Sequence, residues 1–370
     1  MDNASNCDTT SDRLPDHIPT YRGTLSRTRC FPHTVNLIAK NLFRGLTHLQ
    51  AFIAFFFKQP KKKSKVTVAP GKRKRGARDA PPVIQPEEER EDPVVADVAV
   101  DEEGIMDEGK AAHDEATLTS IYGQAIHEAE SKFALHMTVA EQTMALTIFP
   151  KVAGLARRVH DSPTLQEKFE KLVEANAAES GQKVALDRRV PTRWNSDLAC
   201  LASHVHFERP VKQLTQDNLE EYALTAAQWK LAKELCQALQ VFEDITKLFS
   251  QAEVPLVYEV IPMLEALEDE LTNMRDDASL PDVIRIAAIA ALLVIGTYYA
   301  LSDDTEVYRI AIIVMCPDKK LEWFQTNPGW RHEDRVEADL VVRARWTESY
   351  ATRESLESSS GSQPATPAPV

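Results

Sequence analysis

Three short stretches of the sequence contain residue types that can do chemistry. Asp2 is a carboxylate in the polar stretch DNASN, Cys30 and His33 frame the stretch CFPH, and Arg193 adjoins Trp194 in TRWNS. A carboxylate at the end of a strand can bind a divalent metal ion, but a two-metal phosphoryl-transfer site needs several carboxylates that converge. Asp2 by itself therefore does not form such a site.

Cys30 and His33 have the CxxH spacing of two metal ligands. A structural zinc ion takes four protein ligands, and Cys7, His17 and His48 do not stand at a known zinc-finger spacing from this pair. The sequence therefore favours the alternative in which Cys30 is buried and His33 starts a helix.

Arg193 and Trp194 leave two interpretations open. A single tryptophan usually belongs to the core, and an adjacent arginine usually lies on the surface. An exposed Arg-Trp pair could instead stack on an unpaired base and bind a phosphate. The pair alone does not decide between the two.

Residues 58–117 consist of two blocks of opposite charge without helical or strand periodicity. The first block is basic and includes Lys72, Arg73, Lys74 and Arg75, and the second is acidic. Such blocks cannot bury enough apolar surface to offset the entropy of the chain, so we expect a disordered insertion. The basic block is typical of a nuclear localisation signal or a nucleic-acid contact, and the alternative is a solvated linker whose halves attract each other.

The bulk properties of the chain argue against several protein classes. The net charge of −13 disfavours a uniformly basic nucleic-acid binder. The five cysteines form no CxxC pair, which is typical of a reduced intracellular protein. The polar first residues predict no secretory signal peptide, and the apolar run at 286–301 is shorter than the roughly 20 residues of a membrane span, which favours a core helix. No nucleotide-binding or common hydrolase motif is present.

The elements that must position these residues are mostly helices. Apolar residues at helical spacing, together with capping residues, predict helices over 144–160, 163–177, 255–274, 281–301 and 333–350, one from Thr34, one capped by Asn195 or Ser196, and one capped by Thr225. Strand signals are few, and the best are at 29–31 and 184–190. The Ser/Pro/Thr-rich end of the sequence predicts a disordered tail.

Taken in order, DNASN, RTRCFPHTVNLIAK, a charged insertion and VPTRWNSDLACL resemble the catalytic region of hAT-superfamily DNA transposases, and the fungal versions are the most similar. The later stretches YYALSDDTEVYRIAIIVMCPDKKLEWFQ and GWRHEDRVEADLVVRARWTESY are similar to the helical part of that family. The resemblance covers about residues 1–57 and 118–350. It depends on the ordered set and not on any single motif.

The resemblance implies a mainly α chain in four parts. These are an incomplete ribonuclease-H-like α/β fragment at 1–57, the disordered insertion at 58–117, a helical insertion domain at 118–352 and a disordered tail at 353–370. The family carries out cut-and-paste DNA transposition with Mg²⁺ or Mn²⁺ held by two aspartates and a glutamate.

The resemblance also implies a role for each of the three stretches. Asp2 corresponds to the second catalytic aspartate, and Cys30 and His33 correspond to a motif near the active site. Arg193 and Trp194 correspond to the RW element, whose tryptophan stabilises a flipped base.

The sequence departs from the family pattern at both ends. No strand with the first aspartate precedes Asp2, and no segment with the catalytic glutamate or the dimerisation region follows the helical part. We therefore expect a truncated, inactive nuclear remnant without a bound cofactor, in which Asp2 binds metal only if missing carboxylates complete the site. We also expect weak DNA binding, no membrane association, and no oligomer formed through that missing region. Two alternatives are an active subunit completed by a partner chain and a non-catalytic nuclear interaction or regulatory protein.

Overall fold

The computed structural model describes residues 5–47, 108–176, 183–190, 194–250 and 256–351. Within these ranges the chain is mainly α-helical and contains no strand, which confirms the predicted fold class at the level of a mainly α protein. The α-helices are α1 (Ser5–Arg13), α2 (Phe31–Thr47), α3 (Glu108–Phe133), α4 (Val139–Asp161), α5 (Pro163–Ala175), α6 (Trp194–His206), α7 (Glu208–Asn218), α8 (Ala226–Phe249), α9 (Val260–Asp276), α10 (Asp282–Ser302), α11 (Val307–Met315), α12 (Lys320–Thr326) and α13 (His332–Ser349).

Capping side chains fix where several of these helices begin. At α4, the Thr138 hydroxyl accepts a hydrogen bond from the Glu141 N–H at 3.2 Å, and the Glu141 carboxylate accepts one from the Thr138 N–H at 2.8 Å. Thr225 and Gln228 exchange the same two bonds at the start of α8. Ser162 is the N-cap of α5. The predicted cap at Thr225 and the predicted start of a helix at position 163 are thus confirmed.

Both predicted strands are wrong within the described residues. Phe31 already starts α2, two to three residues before the start predicted at His33 or Thr34. Residues 184–190 are non-helical but pair with no strand in the described part of the chain, because side chains of α6 take some of their backbone hydrogen bonds. Whether residues 1–57 are a ribonuclease-H-like fragment stays a prediction.

Four more helix starts differ from the sequence expectation. α4 begins at Val139 and not at 144, and α9 begins at Val260 and not at 255. α3 begins at Glu108, inside the segment predicted to be disordered, because the run GKAAHDEA is rich in helix-forming residues. α6 begins at Trp194 and is not capped by Asn195 or Ser196. The Ser196 hydroxyl instead bonds the backbone of Val190.

The described residues divide into two compact units. Unit 2 comprises those within 39–240 and 274–290, and α4 contacts both α5 and α6 there. Its buried residues include Phe149, Val152 and Leu155 on α4. Gly154 of the same helix lies so close to Tyr222 that an added Cβ would be 2.6 Å from Cε1 of the ring.

Unit 1 comprises the described residues within 1–38, 241–273 and 291–351. In this unit α11 packs against both α12 and α13. An ion-pair network joins the N-terminal residues to these helices, since the Glu306 carboxylate lies 3.0 Å from Nη1 of Arg22 and 3.5 Å from Nε of Arg345. The Leu25 carbonyl accepts hydrogen bonds from the Glu306 N–H at 3.2 Å and the Thr305 hydroxyl at 2.8 Å.

Helix α10 contains the apolar run that the sequence singled out. Among the described residues it is the one helix long and apolar enough to cross a membrane, and 56% of its most apolar window is buried inside the structure. Such burial is typical of a core helix, which is what the sequence predicted. The expectation that the chain meets no membrane stays a prediction.

Candidate nucleic-acid interface

The RW element lies at the start of α6. Trp194 is the first residue of the helix and is only 3% exposed, so its ring belongs to the core. In this conformation no base can stack on the ring. Arg193 lies outside the described residues, and its contact with a phosphate stays a prediction.

Hydrogen bonds from α6 hold the segment 183–190, which precedes the RW element. The Ser196 hydroxyl accepts the Val190 N–H at 2.8 Å and donates to the Val190 carbonyl at 2.7 Å. Ser203, two turns further along α6, accepts the Asp187 N–H at 3.0 Å. The residues on both sides of positions 191–193 are therefore fixed to the same helix.

A nearly buried ion pair reinforces this attachment. Nε of Arg189 donates to Oδ1 of Asp197 at 2.9 Å, and both side chains are at most 10% exposed. The Arg189 guanidinium also lies 5.0 Å from the centroid of the Phe149 ring. Removing one partner of such a pair is costly because the remaining charge stays buried. Arg189 therefore serves the fold, and the sequence analysis did not find it.

The opposite end of α6 buries a histidine in apolar surroundings. His204 is fully buried, and its ring stacks on Trp229 of α8 with 5.6 Å between centroids and 24° between planes. Within the described residues neither ring nitrogen of His204 has a hydrogen-bond partner, and the same is true of Nε1 of Trp229. Burial lowers the pKa of His204 to about 3, so the imidazole is neutral at physiological pH.

A cluster of lysines lies beside Trp229. Nζ of Lys212 is 5.3 Å from the ring centroid and 2.5 Å from Oε1 of Glu208, and Nζ of Lys233 is 2.7 Å from Oε2 of the same carboxylate. Hydrogen bonds from the two lysines lower the pKa of Glu208. Two ammonium groups thus share one carboxylate, which leaves a local excess of positive charge. A surface cavity of about 320 Å³ adjoins this cluster beside His206.

The CFPH residues lie in unit 1 at the start of α2. The Cys30 carbonyl accepts hydrogen bonds from the N–H and the hydroxyl of Thr34, at 3.1 and 3.3 Å. Cys30 is half-buried and not fully buried, which corrects the expectation in part. His33 is half-buried in the first turn of the helix.

The remaining predicted site residues fall outside the part of the chain that the structure describes. They are Asp2 and the four basic residues Lys72, Arg73, Lys74 and Arg75. Among the described residues, no group of three or more His, Cys, Asp or Glu side chains is arranged to hold a metal ion. The described residues therefore do not fit a two-metal site, and we derive no step through Mg²⁺ or Mn²⁺.

Part of the chain matches a known protein family. Residues 138–238 match the family of the ZBED1 RNase-like helical domain. The match runs from the capping box of α4 into α8 and includes the RW element, the segment 183–190 and the stacked His204 and Trp229. The matched residues lie within unit 2.

One human protein, zinc finger BED domain-containing protein 4, is 22% identical to this chain over 175 residues. The aligned part is 46% of this chain and only 15% of the human protein. No solved structure shows significant similarity to the chain. The two sequence matches support a relation to transposase-derived proteins of the hAT group.

Proposed function

We propose that this chain is a catalytically inactive remnant of an hAT-type transposase, of fungal type, that acts in the nucleus and binds nucleic acid. The observation that carries the proposal is the match of residues 138–238 to an RNase-like helical domain, because the RW element stands in the same segment. The sequence resemblance alone supports the fungal type and the nuclear location.

In this proposal, phosphate contacts come from cations on two parts of the chain. Trp194 acts from the core as a positioning residue, and its neighbour Arg193 reaches the nucleic acid. The bonds of Ser196 and Ser203 to the segment 183–190 support this role, since they hold one flank of the RW element to α6. The other cations are the basic residues Lys72, Arg73, Lys74 and Arg75.

The proposal of catalytic inactivity depends on how many carboxylates of this sequence correspond to metal ligands. Two-metal catalysis stabilises the attacking and the leaving oxygen together and needs a full ligand set. Asp2 is the single residue of this sequence that corresponds to such a ligand. Mg²⁺ or Mn²⁺ would belong to members of the family in which further carboxylates complete the site.

The test is the salt dependence of DNA binding by the full chain. Replacing Lys72, Arg73, Lys74 and Arg75 by glutamine should weaken binding and reduce the slope of log K against log salt by about 0.9 for each lost phosphate contact. A matched control replaces four exposed lysines by glutamine and makes the same change in net charge; these are Lys168, Lys171, Lys230 and Lys247. The control should leave the slope nearly unchanged.

Two results would contradict the proposal. Equal loss of affinity in both variants would mean that only net charge matters. Cleavage of terminal-repeat DNA by the purified chain in the presence of Mg²⁺ or Mn²⁺ would show that it is an active enzyme.

A second function, that of a non-catalytic nuclear interaction protein, is favoured by a different observation. Helix α13 of unit 1 carries several large apolar side chains that are exposed. Such a face is typical of a protein contact.

A further inference from the structure

One face of α13 carries four large apolar side chains that are exposed. Val336 is 44% exposed, Leu340 57% and Trp346 62%, and Tyr350 just beyond the helix is 66% exposed. At 100° per residue these four positions fall within an arc of about 120°, the width of the buried stripe on an ordinary amphipathic helix. The rings of Trp346 and Tyr350 stack on each other with 5.7 Å between centroids.

The opposite face of the same helix is the one that packs within unit 1. Ala338 there is fully buried, and Arg345 pairs with Glu306 beside α11 at 3.5 Å. Arg309 of α11 lies 3.8 Å from Glu337. The contacts of α13 with α11 therefore leave the apolar face uncovered.

The spacing of the exposed face is that of a coiled-coil seam. Val336, Arg343 and Tyr350 repeat every seven residues, and Asp339 and Trp346 stand three residues after the first two of them. A seam with an apolar residue at each end and an Asp-Arg pair between them is self-complementary. Asp339 and Arg343 already bond within the helix at 2.8 Å, and both side chains remain accessible.

We propose that α13 pairs with α13 of a second copy of this chain, in antiparallel orientation about a two-fold axis beside Val341. In this register Val336 packs against the partner's Trp346, and Asp339 faces the partner's Arg343. Each contact occurs twice by symmetry, and the two copies of Leu340 meet next to the axis. The contact does not depend on the proposed function, and it is distinct from the family's dimerisation region, through which we expected no oligomer.

Charge argues against nucleic acid as the occupant of this face. α13 carries five carboxylates and three arginines, so its surface repels phosphates. The carboxylates are Glu333, Asp334, Glu337, Asp339 and Glu348, and the arginines are Arg335, Arg343 and Arg345. Residues 352–370 are an unsuitable cover, because Leu356 and Val370 are the only large apolar residues among them.

The first experiment measures the mass of the full chain in solution by sedimentation at increasing micromolar concentrations. We expect a monomer–dimer equilibrium. Leu340→Glu places two carboxylates at the two-fold axis and should raise the dimer dissociation constant by about thirtyfold or more, the effect of removing a central anchor. The control is Val139→Glu, since Val139 is 71% exposed at the start of α4 and should leave the dissociation constant unchanged. Circular dichroism checks that both variants keep their helix content.

The second experiment tests the register. Arg343→Glu and Asp339→Lys should each weaken the homodimer, because each places like charges opposite one another across the interface. Mixed together, the two variants should form a heterodimer, since every charged pair across the axis then has opposite signs.

Three outcomes would overturn the proposal. They are a wild-type chain that stays monomeric, a dimer that Leu340→Glu leaves intact, and a mixture of the two charge variants that does not associate. Weaker DNA binding by Trp346→Ser, with no change in mass, would assign the face to nucleic acid instead.

Discussion

The two units accommodate a polar side chain in opposite ways, one half-buried and the other fully buried. In unit 1 the Glu265 carboxylate accepts three hydrogen bonds from uncharged donors: the Tyr299 hydroxyl at 3.0 Å, Nε1 of Trp330 at 2.8 Å and Nδ2 of Asn327 at 2.7 Å. In unit 2 the fully buried imidazole of His204 has no partner within the described residues. The first group is satisfied by its neighbours, whereas the second must lose its charge.

The comparison shows two ways of tolerating polarity in a helical core. A carboxylate with several donors exchanges its contacts with water for hydrogen bonds, and these bonds join distant parts of the chain. Glu265 of α9 thus joins the end of α10 to the segment between α12 and α13. A neutral imidazole avoids the cost of a buried charge, but its protonation at low pH destabilises the folded state.

Breaking the satisfied cluster should have the largest effect. Glu265→Ala leaves three donors without their acceptor. We expect the free energy of unfolding, measured with urea, to fall by about 3 kcal/mol. Glu265→Gln keeps an uncharged acceptor and should lose less. The control is Glu270→Ala on the exposed face of α9, with an expected change within about 0.5 kcal/mol. Equal losses at positions 265 and 270 would show that the cluster does not stabilise unit 1.

The unsatisfied histidine should have the next largest effect, and the effect should depend on pH. Because burial lowers the pKa of His204 from 6.5 to about 3, the unfolded chain binds more protons between these values. The stability that neutral His204 contributes is complete above about pH 6.5 and is lost as the pH falls toward 3. At about pH 5 we expect a loss of about 2 kcal/mol relative to neutral pH.

The control for this prediction is His204→Phe, which keeps a flat ring against Trp229 and cannot be protonated. The free energies of unfolding of the wild type and the variant, measured with urea, should differ by an amount that changes by about 2 kcal/mol between neutral pH and about pH 5. If both proteins lose the same stability on acidification, His204 is not the group responsible.

The smallest effects are expected at two helical glycines, one in each unit. Gly154→Ala places a Cβ 2.6 Å from the Tyr222 ring, and the overpacking should outweigh the gain in helix propensity, with a net loss of about 1 kcal/mol. Gly296→Ala in α10 meets no atom within 4 Å and should gain about 1 kcal/mol. Thermal unfolding should therefore shift in opposite directions, and shifts of the same sign would mean that Tyr222 moves aside freely.

The sequence predicted the helices with local signals better than it predicted the site. The apolar run of α10 and the periodicity of α13 predicted these helices to within one residue at each end. The site was harder because the same RW residues fit a core position and an exposed one. The exposure of Trp194 depends on the packing of α6 against α4, and no spacing within TRWNS encodes that contact.

The sequence by itself determined the starts of α5, α8, α10 and α13 to within one residue, and the buried face of α8. Caps such as Thr225 and Gln228 and the 3.6-residue period act within a few positions, so they are readable in the chain. Only the tertiary structure decided which polar groups are buried and what they bond. Glu265 accepts hydrogen bonds from residues 34 to 65 positions away. Arg189 bonds Asp197 because the segment 183–190 packs against α6. Packing brings together hydrogen-bond partners that belong to different elements, and the local propensities of the chain do not determine which residues meet.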